Sequence, residues 1–526
     1  MARTLFFTDA IIHTGRAEGE TAASMLVRDG RVLALDTEPE GRHERIPLGG
    51  RHVYPCLIDG HMHLLPTVVL AAAGFDLCHI GERGVEPHDL KGIEAKLSAF
   101  AADRPRNAVL VGNRYVLSAI DERRLPSRQE LDAWCGGRAV VIYTIDGHAS
   151  ALSTAMLKKL RIDPAGHDGV LMGEAHERVQ GRLTDILAAS VTPGVLARGI
   201  ANFHNDCARC GIACVGALEG NGDSKKDPTT RLIAFLAGRF DVDVRMYLQY
   251  MEIERARPFW RRQAHARIGG CGDWEMDGAT GAHSAAFSLP FKDTGRIAPP
   301  YYEQDFVNER VRTADAQGLQ IASHAIGDVA VDRLLAALRE TESGRMHRVE
   351  HGEFASDAAI DEIAARGYAL MMQPGYSWMD KRYLHTYEQF LPEALIARLK
   401  LKSLYDKGIC VCGSSDSPVQ ELDPWLQMRG MTEFYHEDES LRPFEAFRCC
   451  TLHPARALLE EDERGTLEPG RRADFFTADT DIFALSPARL GAFRPLETYY
   501  AGRPARRWRG TLWELFRLLL RRPRPI

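Results

Sequence analysis

Several things are missing from this chain, and each absence narrows what it can be. Neither sign of charge dominates: 66 basic against 72 acidic residues leave a formal −6 over 526 residues, which gives no electrostatic case for nucleic-acid binding. No apolar stretch approaches the roughly 20 residues needed to span a bilayer. The run from Met1 to Phe7 passes straight into a strand-like pattern with no signal-peptide core. Cysteine does not form a disulfide framework: there are eleven, an odd number, scattered along the length. Cys207 and Cys210 make a lone CxxC in a helical setting, and without a second pair they read as structural. These absences fit a protein of a reducing cytoplasm. What is present is ordinary for a globular chain, 45% hydrophobic and 26% charged, and long enough for a large domain plus an accessory unit.

The informative residues are His61 and His63, which close the run Leu57-Ile58-Asp59-Gly60-His61-Met62-His63. In extended chain, residues i and i+2 point to the same side, so both imidazoles can reach one point. Two neutral imidazoles converging there make half of a site for a divalent cation. Three further candidates end apolar runs of their own, namely His324 after Leu319 to Ser323, His351 after His347 to Glu350, and Asp416 after Gly408 to Ser415. In a parallel (β/α)₈ barrel the C-terminal strand ends surround one mouth, where such residues gather.

Eight apolar runs lie near 53–60, 211–218, 243–250, 267–275, 319–324, 347–351, 368–373 and 408–415, with helical segments between them. That alternation predicts an α/β fold, a (β/α)₈ TIM barrel over 55–464. The strand-like stretch Arg138 to Ile145 is assigned to an insertion at about 64–200. Residues 1–54 and 465–507 are β-rich, with an Asp29-Gly30 hairpin signal, and neither buries a core alone. A small composite β-sandwich from both ends is expected. The tail 508–526 reads as a basic amphipathic helix that packs on the protein and ends in a frayed Pro/Arg segment, with membrane contact the less favoured reading.

Taken together, these blocks resemble the metal-dependent amidohydrolase superfamily, and within it the N-substituted formamide deformylase-like (YtcJ-like) branch, amidohydrolase family 3. The resemblance runs over about residues 4–505. It is carried by Asp59-Gly60-His61-Met62-His63, Asp146-Gly147-His148-Ala149-Ser150, Gly169 to Glu174, Asp277 to Gly281, His324 to Asp328, Val349-Glu350-His351, Ser415-Asp416-Ser417-Pro418, Thr451 to Ala457 and Gly470 to Asp474. It implies His61, His63, His324 and His351 as metal ligands, and Asp416 as ligand and general base. One departure stands out. The family's fourth strand carries a lysine that can be carboxylated to bridge two metals, whereas here the matching position reads as Asp273. Either Asp273 or Glu275 then supplies a bridging carboxylate, or the site holds one ion. The expected cofactor is a divalent cation, zinc first, as one or two ions.

The implied chemistry is hydrolysis of a C–N bond of amide or formamide type in a small molecule. Metal-activated water attacks, Asp416 handles the proton, and either the metal or His148 polarises the carbonyl. The alternatives are a deaminase of a ring amidine and a non-catalytic scaffold. A possible homodimer is the only macromolecular partner expected. Glu174, Glu219, Asp328 and His453 read more readily as solvated or structural residues. Trp274 and Tyr376 are equally open as pocket wall or core.

Overall fold

The computed structural model describes residues 4–81, 84–220, 222 and 227–526, and residues 1–3, the start of the N-terminal run read above, lie outside the described residues. Each of the eight apolar runs forms a strand. Leu57–Met62, Ile212–Glu219, Asp243–Leu248, Arg267–Glu275, Gln320–Ala325, Arg348–His351, Ala369–Met372 and Cys410–Gly413 pair in parallel in chain order. Most of their residues are buried on both faces, which is why they read as continuous apolar runs and not as alternating ones. Helices such as Gln304–Ala316, Asp328–Leu338 and Asp357–Arg366 occupy the gaps.

The first and eighth strands meet at their C-terminal ends. The Asp416 N–H donates to the His61 carbonyl at 2.9 Å, and the His63 N–H donates to the Ser417 carbonyl at 2.8 Å. The Asp59 carboxylate spans the same seam, accepting from the Ser415 N–H at 3.2 and 3.1 Å. These bonds complete the (β/α)₈ barrel.

Both chain ends, expected to form a composite β-sandwich, meet beside it in one eight-stranded sheet, seven strands on a hydrogen-bonded path and Thr21–Ala22 off that path, paired with Thr4–His13. Phe475–Ala478 pairs antiparallel with the end of Glu44–Pro55, Phe475 opposite Pro55. A bulge between Thr8 and Ala10 bends the sheet. Its core joins residues from both ends, with the rings of Phe7 and Phe475 5.0 Å apart. Asp29 and Gly30 form the predicted hairpin, both at positive φ.

The insertion after the first barrel strand is a small unit with its own sheet, in the order Val170–Met172, Ala149–Leu152, Val140–Thr144, Leu110–Tyr115, Phe75–Asp76. The run near Arg138 to Ile145 therefore belongs where the sequence placed it. Helix Pro193–Cys210 then returns the chain to the second barrel strand, with a proline in its first turn and Gly211 as a left-handed cap. It buries Cys207 and Cys210 as structural residues. The C-terminal helix Leu512–Leu519 exposes Leu512, Trp513, Phe516 and Leu519. The end of the tail is not frayed: Arg524 reaches Asp243 at 2.6 Å, and the Ile526 N–H donates to the Arg262 carbonyl at 2.8 Å. Among the described residues no single helix is long and apolar enough to cross a membrane.

Candidate metal centre and its cavity

The mouth of the barrel is built from the strand ends upward. His61 is fully buried, and its Nδ1 lies 2.5 Å from a Glu350 carboxylate oxygen. Arg348 grips the same carboxylate through two donors at 2.7 and 2.8 Å. With Nδ1 so held, Nε2 faces the cavity, where Asp416 Oδ1 stands 3.1 Å away. The same Asp416 oxygen lies 3.2 Å from His63 Nε2. His351 Nδ1 sits 2.7 Å from Gln373 Oε1, which leaves Nε2 buried and without a hydrogen-bond partner. His324 turns Nε2 to the Gly278 carbonyl at 3.2 Å and Nδ1 towards the centre.

His351 and Asp416 both adopt left-handed backbone, φ 67° and 53°. Such backbone costs of order 1–3 kcal/mol for a non-glycine residue and persists where surrounding structure imposes it. The Asp416 imposition is the barrel seam itself.

These donors suit a divalent cation. Three groups of possible ligand atoms, each within 4.8 Å of one another, overlap here: His61, His63 and Cys271; Cys271, His324 and His351; and His61, His351 and Asp416. Glu350 and Gln373 take one ring nitrogen of His61 and His351, the outer support that fixes the tautomer of a ligating imidazole. The buried, unpaired His351 Nε2 would otherwise cost roughly 1–3 kcal/mol. Electrostatics agree. Burial works against charge on Asp416, but His61 and His63 hold its carboxyl well below the usual range. Burial pushes His351 well below the ordinary imidazole value, with His324 and His61 adding to it, so it stays a neutral donor.

A second constellation adjoins the first and shares His324 with it. His148 Nδ1 lies 3.0 Å from Glu177, and its ring lies 5.2 Å from that of His324. Burial opposes charge on His148, yet Glu177 outweighs it and lifts the imidazole to about 10, so His148 is cationic at neutral pH. Its turn is set by Asp146, which accepts from the Thr144 hydroxyl at 2.6 Å and from the His148 N–H at 3.1 Å. Glu275 shares a possible ligand group with His148 and His324, and burial followed by Glu177 pushes its carboxyl well above the usual range. The two constellations open into one cavity of about 490 Å³, lined also by Arg114, Tyr143, Glu219 and Tyr301.

Of the residues singled out in the sequence, His63, His324, His351, Asp416, His148, Asp273 and Glu275 line this cavity, and His61 joins them through two of the ligand groups. Asp273 lines the cavity too, but one of its oxygens accepts from the Met251 N–H at 3.2 Å, and it joins none of the ligand groups found among the described residues. The residue that the fourth strand sends to the centre is Cys271, 3.7 Å from His61 Nε2, which the sequence reading passed over. Its roles for Glu177, Glu350 and Gln373 were also missed. Glu174 lies at the edge of the cavity lining, exposed and 2.6 Å from Arg178. Glu219 accepts from the Leu65 N–H at 3.0 Å, and burial pushes its carboxyl up to about 8. Asp328 binds Arg398, His453 lies 2.8 Å from the Val411 carbonyl, and Trp274 is core. Tyr376 packs between two hydrophobic clusters.

Comparison with known proteins agrees with this geometry. A family model described as "Amidohydrolase family" matches residues 44–506. The protein YtcJ of Bacillus subtilis (strain 168) is 24% identical over 521 residues, covering 91% of this chain and 95% of that protein. N-substituted formamide deformylase of Arthrobacter pascens is 24% identical over 548 residues, covering 95% and 98%. Among solved structures, an uncharacterized metal-dependent hydrolase from Pyrococcus furiosus superposes with a TM-score of 0.68 at 21% identity, over 91% of this chain and 99% of that one.

Proposed function

The chain belongs to the amidohydrolase family, and from that premise we propose that it hydrolyses an amide- or formamide-type C–N bond, not a peptide bond, in a small molecule. The observation that carries the reading is the convergence of four histidines and Asp416 on one cavity, with the buried His351 Nε2 left unpartnered. His61, His63, His324, His351 and Asp416 would hold the cation, and imidazole donors suit zinc. When bound, the cation supplies Lewis acidity and brings the pKa of water from 15.7 to about 7.

The chain's own residues do the rest. Asp416, ionised at neutral pH, accepts the proton of the attacking water and passes it to the leaving nitrogen, a role of typically 10²–10⁴-fold. His148 donates a hydrogen bond to the carbonyl oxygen as negative charge develops there, with Glu177 keeping it protonated and oriented. Glu350 and Gln373 keep His61 and His351 turned inward. A cavity of about 490 Å³ lies within the range of small-molecule pockets and exceeds the needs of a bare formamide, so it favours a substrate with a bulky substituent.

Asp416→Asn tests the assignment. Turnover of an N-substituted formamide should fall by at least 10²-fold while the fold remains, and a near wild-type rate would overturn the role of the base. Release of formate or another carboxylate supports this reading. Ammonia from an aminated heterocycle would replace it with deamination.

A further inference from the structure

The fourth barrel strand, Arg267–Glu275, contains no lysine. Three of its glycines take positive φ, Gly269 at 93°, Gly270 at 110° and Gly272 at 62°. A Cβ at Gly269 would lie 1.9 Å from the Ala322 carbonyl, and one at Gly270 would lie 2.8 Å from the Leu218 side chain. Backbone of this kind, pressed on both neighbours, is open only to glycine. Its effect is to turn the one side chain between Gly270 and Gly272 into the barrel. That side chain is Cys271, 5% exposed.

Its sulfur stands 3.7 Å from His61 Nε2 and 3.9 Å from His324 Nδ1. It is the shared member of two ligand triads, one with His61 and His63 and the other with His324 and His351. Two ligands held at Zn–N of about 2.05 Å and Zn–S of about 2.3 Å around a tetrahedral ion stand about 3.6 Å apart, close to both observed separations. The unpartnered His351 Nε2 in the second triad is an independent sign that a ligand is missing there. Among the carboxylates, Glu275 groups with His148 and His324, Asp416 groups with His61 and His351, and Asp273 joins none of the groups, whereas Cys271 groups with the whole His61–His63 pair and with the whole His324–His351 pair.

We propose that Cys271 is the shared ligand of a two-cation centre, its sulfur joining the His61–His63 half to the His324–His351 half. This rests on the metal-dependent reading above. On binding, the thiol S–H bond breaks, the proton leaves to solvent, and the resulting thiolate offers lone pairs to both ions. Assembly of such a centre needs no carbon dioxide, unlike one bridged by a carboxylated lysine. It is instead open to thiol-directed reagents.

The test is to strip the full-length protein of metal and reload it with Co²⁺ alone. Wild-type chain should take up two equivalents, show sulfur-to-cobalt charge-transfer absorption in the near ultraviolet, and behave identically with and without bicarbonate. C271S should lose that absorption and at least one equivalent. Cobalt uptake without the sulfur band, or with a band unchanged in C271S, overturns the shared-thiolate role and leaves the hydrolase reading standing. Failure of the wild-type chain to bind any cation overturns both. Should C271S fail to fold, alkylation of wild-type protein decides the matter. Peptide mapping should show Cys271 modified in the metal-free chain and protected after loading, and equal modification in both states overturns the proposal.

Discussion

The two ends of this barrel hold their charges in opposite ways. At the strand starts, Asp243 lies 2.6 Å from both Arg464 and Arg524, while Glu460 meets Arg464 at 2.8 Å and also binds Arg245. Burial works against the Asp243 charge, yet Arg464, Arg472 and Arg524 hold its carboxyl well below the usual range. At the strand ends, by contrast, four histidines face one another around a single carboxylate, and buried polar atoms of His351 and Glu275 lack partners. One rim pairs opposite charges within the protein. The other also holds ion pairs, His148 with Glu177 and Arg348 with Glu350, but leaves His351 Nε2 and a Glu275 oxygen unpartnered around the proposed cation site. The same strands thus separate stability from chemistry along their length, as the architecture favours.

Substitutions should keep the two rims apart. The largest stability effect is expected at the lower rim, where Arg464→Met leaves Asp243 and Glu460 short of a partner. Losing one member of such a buried pair costs about 3–5 kcal/mol, read as a lower denaturation midpoint, while cation uptake per folded molecule stays unchanged. A fall in uptake would show that the rims are coupled. Next comes Glu350→Gln at the mouth, which weakens the hold on His61. Support of this kind is worth about 10–100-fold in metal affinity, measurable by competition with a chelator.

Acid and alkali should act on different rims. The depressed Asp243 contributes stability that is complete above its unfolded pKa of about 3.9 and is lost as pH falls through its lower folded value. The raised His148 contributes stability that is complete below about 6.5 and is lost as pH rises through about 10. Melting curves of metal-free protein across pH should show both limbs, with the alkaline one missing from His148→Gln. The smallest effect is expected for Glu174→Gln, where loss of the exposed pair with Arg178 should leave the unfolding free energy within about 0.5 kcal/mol of the original.

The barrel was legible because its strands are buried on both faces and so read as unbroken apolar runs. The histidines were legible because each ends such a run. Cys271 was not, for a physical reason. Matching the family's fourth-strand lysine by position assumes an even pleat, but the strand's register shifts between Gly270 and Glu275, so the match falls on Asp273 while the chain turns Cys271 inward. Glu177 was hidden differently. It lies on helix Glu174–Ala189 and meets His148 across 29 residues, a contact that helix periodicity does not announce.

The seam that joins the first and eighth strands also bears on how the molecule comes into being. His61 and Asp416 are 355 residues apart, so synthesis must run most of its course before the first strand gains its second neighbour. By loop-entropy scaling, drawing together points so distant costs about 5 kcal/mol. A cation gripped by both residues would repay part of that cost at the moment of closure. The ion would then act as a late assembly factor, and cells starved of it would accumulate unclosed chains as well as idle enzyme.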